Sequence, residues 1–235
     1  MPVSLKEVNP NQVDDLSLKI AIAGSRVTSR SGQRHLAFIV GTNNDGNFLY
    51  HLGSHNKFTR DKLNDGYAAN DEELLDKYTA NAIIGFLATL HHESKGRIPY
   101  SIEYSDGDYF TDSGELLKNE IGDGLTCATF VLEVLSRYGT IVLDRSTWPV
   151  DDAENKRWQE KITNILAEIH CGSEPIDTFL EQFKKAGKVA RFRPEEVMGA
   201  ACEFVEEPLT FQQVVEPAKA VVSQMQELGI DDSGV

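Results

Sequence analysis

Cys127 lies in Gly122-Asp123-Gly124-Leu125-Thr126-Cys127-Ala128-Thr129-Phe130, a glycine-punctuated stretch that runs into an apolar-periodic segment. That pattern predicts a loop leading into a helix, with the sulfur in the first helical turn. Unpaired backbone N–H groups and the positive end of the helix dipole there favour a thiolate, the form that attacks a carbonyl carbon. A nucleophilic thiol needs a base that takes its proton near neutral pH, and histidine, with an unperturbed pKa of about 6.5, is the natural one. Six histidines are available. His35 opens the β-like run Leu36 to Val40, and His51 lies within the run Phe48 to Leu52. The turn residues Gly41-Thr42-Asn43-Asn44-Asp45-Gly46-Asn47 between the two runs read as a hairpin loop. With the turn centred on Asn44, Ala37 faces His51, and His35 and His51 become diagonal neighbours on one face, about 7 to 8 Å apart at the backbone. Two imidazoles so placed can address one sulfur or hold each other's orientation, whereas a one-residue slip puts them on opposite faces. The competing reading makes Cys127 a small buried hydrophobe that continues the stripe of Phe130, Val131 and Val134.

Other chemistry-bearing residues carry weaker signals. His91-His92-Glu93 closes a helical segment, where adjacent side chains point in different directions and a helix end welcomes imidazoles without any metal. His51 and His55 are four apart but flank Gly53 in a strand-like segment, so a helical ligand pair is not expected. Cys171 and Cys202 lack a helix-start environment and are read as structural free thiols. Three scattered cysteines make no disulfide framework and no CxxC pair for zinc. No GxSxG elbow, P-loop or GxGxxG fingerprint occurs, so neither cofactor nor metal is expected. Lys184, Lys185, Lys188, Arg191 and Arg193 form the one basic run, read as a solvated face or a docking surface for an acidic partner.

The elements that must position these residues fall into two regimes. Residues 1–145 carry short mixed segments: β-like runs at Leu18 to Ala23, Leu36 to Val40 and Phe48 to Leu52, a helix over Asp71 to Glu93, a strand at Pro99 to Tyr104, and a helix from Thr126 to Tyr138 stopped by Gly139. Residues 146–235 read as helical throughout. One stripe there is Trp158, Ile162, Ile165, Leu166 and Ile169, and a second is Ile176, Phe179, Leu180 and Phe183. The third runs from Phe211 to Met225, with Pro217 as a kink or restart. The expectation is an α+β domain, an antiparallel sheet packed on the cysteine-bearing helix, with a helical extension packed on or beside it.

The chain has 235 residues, 40% of them hydrophobic, which suffices for a sizeable core. Its 37 acids against 23 bases give a net charge of −14. Phosphate-backbone binding rests on clustered Lys and Arg, so nucleic acid is not an expected partner. The polar start, Met1 to Val13, has no signal-peptide pattern and no stretch is long and apolar enough to span a bilayer. The expectation is a cytoplasmic protein with no integral membrane segment.

Arg34-His35-Leu36-Ala37-Phe38-Ile39-Val40-Gly41 followed by Leu49-Tyr50-His51-Leu52 resembles the H-W-A-x-x-x-G … V-x-H-L strand pair of the lecithin:retinol acyltransferase-like family. Thr126-Cys127-Ala128-Thr129-Phe130-Val131, ending in Arg137-Tyr138-Gly139, is similar to that family's N-C-x-x-F-V … R-Y-G helix. These proteins are circularly permuted relatives of NlpC-type papain-like peptidases, with His, His and Cys in that chain order. The resemblance implies a permuted papain-like domain over residues 1–145, with Cys127 as nucleophile, His35 as general base and His51 as the residue that orients it. It covers about 40 residues in three patches. Thr126 stands where the family has Asn, the hairpin loop is longer, and residues 146–235 have no counterpart in the family pattern. The hydrophobic carboxy-terminal anchor of lipid-acting members is also missing.

The functional expectation is a cofactor-free thiol hydrolase or acyltransferase. It would act on an amide or ester of a small molecule or peptide through a thiol acyl-enzyme, with backbone N–H groups at and just before Cys127 as the oxyanion hole. Two rivals stand beside it. One is a non-catalytic binding or scaffold protein whose carboxy-terminal helices dock a protein partner; the other is an effector-like peptidase or deamidase acting on a protein.

Overall fold

The computed structural model describes residues 3–11, 17–30, 33–42, 46–120, 122–170 and 176–232. Six strands form one antiparallel sheet: β1 (Leu5–Glu7), β2 (Leu18–Ala23), β3 (His35–Thr42), β4 (Gly46–Ser54), β5 (Lys57–Lys62) and β6 (Tyr67–Asn70), in the spatial order β1-β6-β2-β3-β4-β5. The described helices are α1 (Ser25–Thr28), α2 (Lys77–Glu93), α3 (Cys127–Arg137), α4 (Ala153–Ile169), α5 (Ile176–Lys185), α6 (Pro194–Glu203) and α7 (Phe211–Glu227). The architecture is α+β.

Strand alternation divides the sheet into two buried faces. Ile20, Ile22, Leu36, Phe38, Val40 and Tyr50 face the larger core, onto which α3 packs; the Phe38 and Phe130 rings meet edge to face at 6.2 Å. Ala21, Ala23, Ala37, Ile39, Leu49 and Tyr67 form the smaller core on the other face. The larger core also takes in Trp148, Phe192, Val197, Met198, Val214 and Met225, so residues on both sides of position 145 share one interior. A Cβ on Gly199 of α6 would lie 2.9 Å from the Pro217 backbone, so only glycine admits α7 this close.

Two sequence expectations need correction. Pro99 to Tyr104 is not a strand, because side chains take its backbone groups: Tyr100 N donates to His55 Nδ1 at 3.2 Å and Ile102 N to the buried Gln182 Oε1 at 2.9 Å. Pro217 does not restart a helix, since α7 runs from 211 to 227 through it. The centre of the 41–47 hairpin loop and Cys171 lie outside the described residues.

Candidate active site

The paired register of β3 and β4 runs from Phe38 opposite Tyr50 to Thr42 opposite Gly46. Continued by one residue, it sets Ala37 opposite His51, with His35 and His51 diagonal on one face, as the hairpin reading expects. Their rings meet edge to face with centroids 4.9 Å apart, and His35 Nε2 lies 2.8 Å from His51 Nδ1. Beyond His51 the β4–β5 pairing shifts register between Leu52 and Ser54, an irregularity of the kind that bends a strand beside a site.

Cys127 is the first residue of α3. Thr126 caps the helix: its Oγ1 accepts from Thr129 N at 3.1 Å, and Thr126 N donates to Thr129 Oγ1 at 2.8 Å. Threonine therefore fills the capping role, one that asparagine also fills. Just upstream, Gly124 has φ +141, and a Cβ there would lie 2.3 Å from the Pro99 carbonyl oxygen, so glycine alone lets the loop enter the helix here. The helix packs on one face of the sheet and the imidazoles occupy the other. Both reach the same cavity because β3 begins at His35, and the Leu36 N–H at that strand end bonds the Cys127 sulfur. Cys127, His35 and His51 line one cavity of about 360 Å³.

The electrostatics revise the expected thiolate. N–H groups of Leu36, Ala128 and Cys127 do favour the anion, but burial outweighs them and pushes the Cys127 thiol up to about 11. Burial, with His51 as a smaller cause, pushes His35 down to about 3. The resting pair is a neutral thiol and a neutral imidazole.

β5 supplies two residues that sequence reading missed. His51 Nε2 lies 3.0 Å from Asp61 Oδ2 and 3.0 Å from Thr59 Oγ1, and the Thr59 hydroxyl donates to Asp61 Oδ2 at 2.8 Å. Asp61 is held below its ordinary value by its bonds to Thr59 and His51, which outweigh its own desolvation. A carboxylate only accepts, so the neutral form of His51 carries its proton on Nε2 and leaves Nδ1 bare. That bare nitrogen accepts from His35 Nε2–H, leaving Nδ1 of His35 free to accept a proton. The sequence signal was the single-residue separation of Thr59 and Asp61 after a hairpin turn, without the apolar alternation that marks a strand.

Tyr67 and Tyr100 also line the cavity. Burial, with the Cys127 charge second, pushes Tyr67 up to about 12 and Tyr100 further still, so both keep their phenol protons at neutral pH. The Thr126 N–H, expected in an oxyanion hole, is held by the capping box; the Cys127 and Ala128 N–H groups remain at the sulfur.

The remaining candidates disperse. His55 packs against His170 and Phe179. His91 meets the Tyr50 and Phe58 rings edge to face, while His92 pairs with Glu93. Cys202 is buried in α6, its thiol pushed up to about 12 by burial. Among the described residues no group of three or more His, Cys, Asp or Glu is placed to hold a metal ion. No described helix is long and apolar enough to cross a membrane. Comparison of the chain with protein-family models, with curated proteins and with solved structures finds no match in any of the three.

Proposed function

We propose that this protein is a thiol hydrolase or acyltransferase that cleaves an amide or ester through an acyl-enzyme on Cys127, on a permuted papain-like framework. The observation that carries the reading is the convergence, in one cavity, of a helix-start thiol with a hydrogen-bonded His35–His51 pair. In this reaction Nδ1 of His35 takes the thiol proton as the sulfur attacks the carbonyl carbon. The charge on the carbonyl oxygen is met by N–H groups of the first turn of α3. The carbon–heteroatom bond breaks, His35 returns its proton to the departing amine or alcohol, and a thioester remains. Water or a second acceptor, deprotonated by His35, then attacks the thioester and frees the thiol.

His51 and Asp61 act through His35: they fix its tautomer and stabilise the imidazolium that forms during transfer. Because both partners are neutral at rest, the nucleophile is generated within the step and not stored as an ion pair.

The test is intact-protein mass spectrometry during incubation with p-nitrophenyl acetate, in the native chain, Cys127→Ala and His35→Ala. Acetylation at Cys127 with a p-nitrophenol burst, lost in Cys127→Ala and slowed in His35→Ala, is the expected result. Acetylation elsewhere only, or at Cys127 regardless of His35, overturns the reading and favours a binding protein.

A further inference from the structure

A second set of residues lining the cavity comes from α4 and the segment leading into α6. Trp158, Ile162, Ile165, Leu166 and Ile169 of α4 all line it. Trp158, Ile162 and Ile165 are half-buried, Leu166 is buried and Ile169 is 60% exposed, so the row opens to solvent at its Ile169 end. At 1.5 Å per residue, Trp158 and Ile169 are about 16 Å apart along the helix, the length of an extended alkyl chain.

A cation stands at the Trp158 end. The Arg191 guanidinium lies 3.9 Å from the Trp158 ring centroid and lines the same cavity as Cys127. Its neighbours are engaged elsewhere. Glu195 pairs with Arg34 at 3.1 Å, Arg193 pairs with Glu154 at 3.1 Å, and Glu196 accepts from Trp148 Nε1 at 3.1 Å. Among the described residues no carboxylate lies within ion-pair distance of Arg191, and its N–H groups donate no hydrogen bond. The basic run read from sequence as a solvated face thus splits. Lys184, Lys185 and Arg193 are taken up in ion pairs with Glu181, Glu103 and Glu154, whereas Arg191 turns inward. A guanidinium stacked on an indole, with Glu195 and Glu196 acting on it only from beyond ion-pair distance, presents a planar fork that fits a carboxylate bidentately. The charged lining comprises Arg30, Arg34, Arg191 and Glu195, a cationic balance inside a chain of net charge −14.

We infer that the cavity takes an amide or ester bearing a carboxylate at one end and an apolar chain at the other. The carboxylate is held by Arg191 over Trp158 and the chain lies along α4. The words amide and ester rest on the reading of Cys127 above; the anion site with its apolar channel does not.

Calorimetric titration of the native chain with N-octanoylglycine and with N-octanoylglycinamide isolates the charge, because the two probes differ only in carboxylate against carboxamide. The acid is expected to bind at least about tenfold tighter than the amide, the scale of one charge-assisted bidentate pair. Arg191→Gln should remove that preference by weakening the acid far more than the amide, while Arg191→Lys keeps part of it. Arg191 and Glu195 also border a second cavity of about 440 Å³, which Ile165 does not line. Ile165→Ser should therefore weaken both probes alike. Equal affinity for the two probes in the native chain, no binding of either, a preference that survives Arg191→Gln, or indifference to Ile165→Ser each overturns the inference. Charge-selective binding beside a Cys127 that fails to acetylate removes the catalytic reading and leaves the anion site. An acetylating Cys127 without charge selectivity does the reverse.

Discussion

The two walls of the cavity are built differently. On one, β3, β4, β5 and the start of α3 hold polar groups in a hydrogen-bonded chain from Asp61 through His51 to His35, with the sulfur on the N–H groups of α3 and Leu36. On the other, α4 and the segment around Arg191 offer a row of aliphatic side chains and one stacked cation. The first wall rests on backbone ladders, which fix positions to fractions of an ångström, as proton transfer requires. The second rests on helix packing, which fixes a surface but not a reacting atom, and that suffices for choosing a substrate. On the proposed function, chemistry and selectivity fall to elements of different rigidity. The far region also anchors the near one. Arg34, next to His35, is bound at 14% exposure by Glu195 of α6 and by the fully buried Asp231, and Gln182 of α5 ties Ile102 to the Gly122 carbonyl ahead of Cys127.

That division can be broken at either wall. The largest effect belongs to the first: His35→Ala should slow Cys127 acetylation about 10³-fold, within the range of a lost general base, while alkylation of Cys202 after unfolding stays unchanged. Next comes the anchor between the walls. Asp231→Ala leaves Arg34 short of a buried partner and should cost about 3 kcal/mol in urea unfolding, with Cys127 acetylation restored wherever the variant is folded. An acetylation rate that falls in proportion to no measurable stability loss would mean that Asp231 acts on the chemistry directly.

Asp61→Asn should slow acetylation by about 10- to 100-fold, because an amide can donate to His51 Nε2 and so permits the wrong tautomer along the chain. Thr59→Ala should cost less, as it removes only a hydroxyl that supports the carboxylate. The smallest change is expected with pH. Since His35 ionises at about 3 and Cys127 at about 11, the acetylation rate should stay level between those limits instead of falling below the ordinary histidine range. Stability carries the same signature. Below about 6.5 the unfolded chain binds a proton at residue 35 that the folded chain refuses until about 3, so stability falls as pH drops through that window. His35→Phe should flatten the decline in a pH series of urea unfolding curves.

Local patterns in the chain determined much of the first wall. The turn residues at 41–47 and the flanking apolar runs set the register that brings His35 and His51 together, because a hairpin loop and strand alternation leave little freedom. Gly122 to Phe130 set the helix start at Cys127 through glycine, cap and periodicity, all of them interactions between near neighbours. The α4 stripe was equally legible as a helix face. What the face would cover was not, since an apolar stripe is silent about its partner. Tertiary structure alone decided that Asp61 reaches His51, because β5 lacks apolar alternation and depends on its neighbour for strand form. It also decided that Cys127 is a neutral thiol, since burial is the sum of many distant contacts and here exceeds the local pull of the helix start. The same holds for Arg191: within a run of five basic residues nothing local distinguishes the one that stacks on Trp158. Hydrogen-bonded elements can be read from the chain; which charge is enclosed depends on how they close around it.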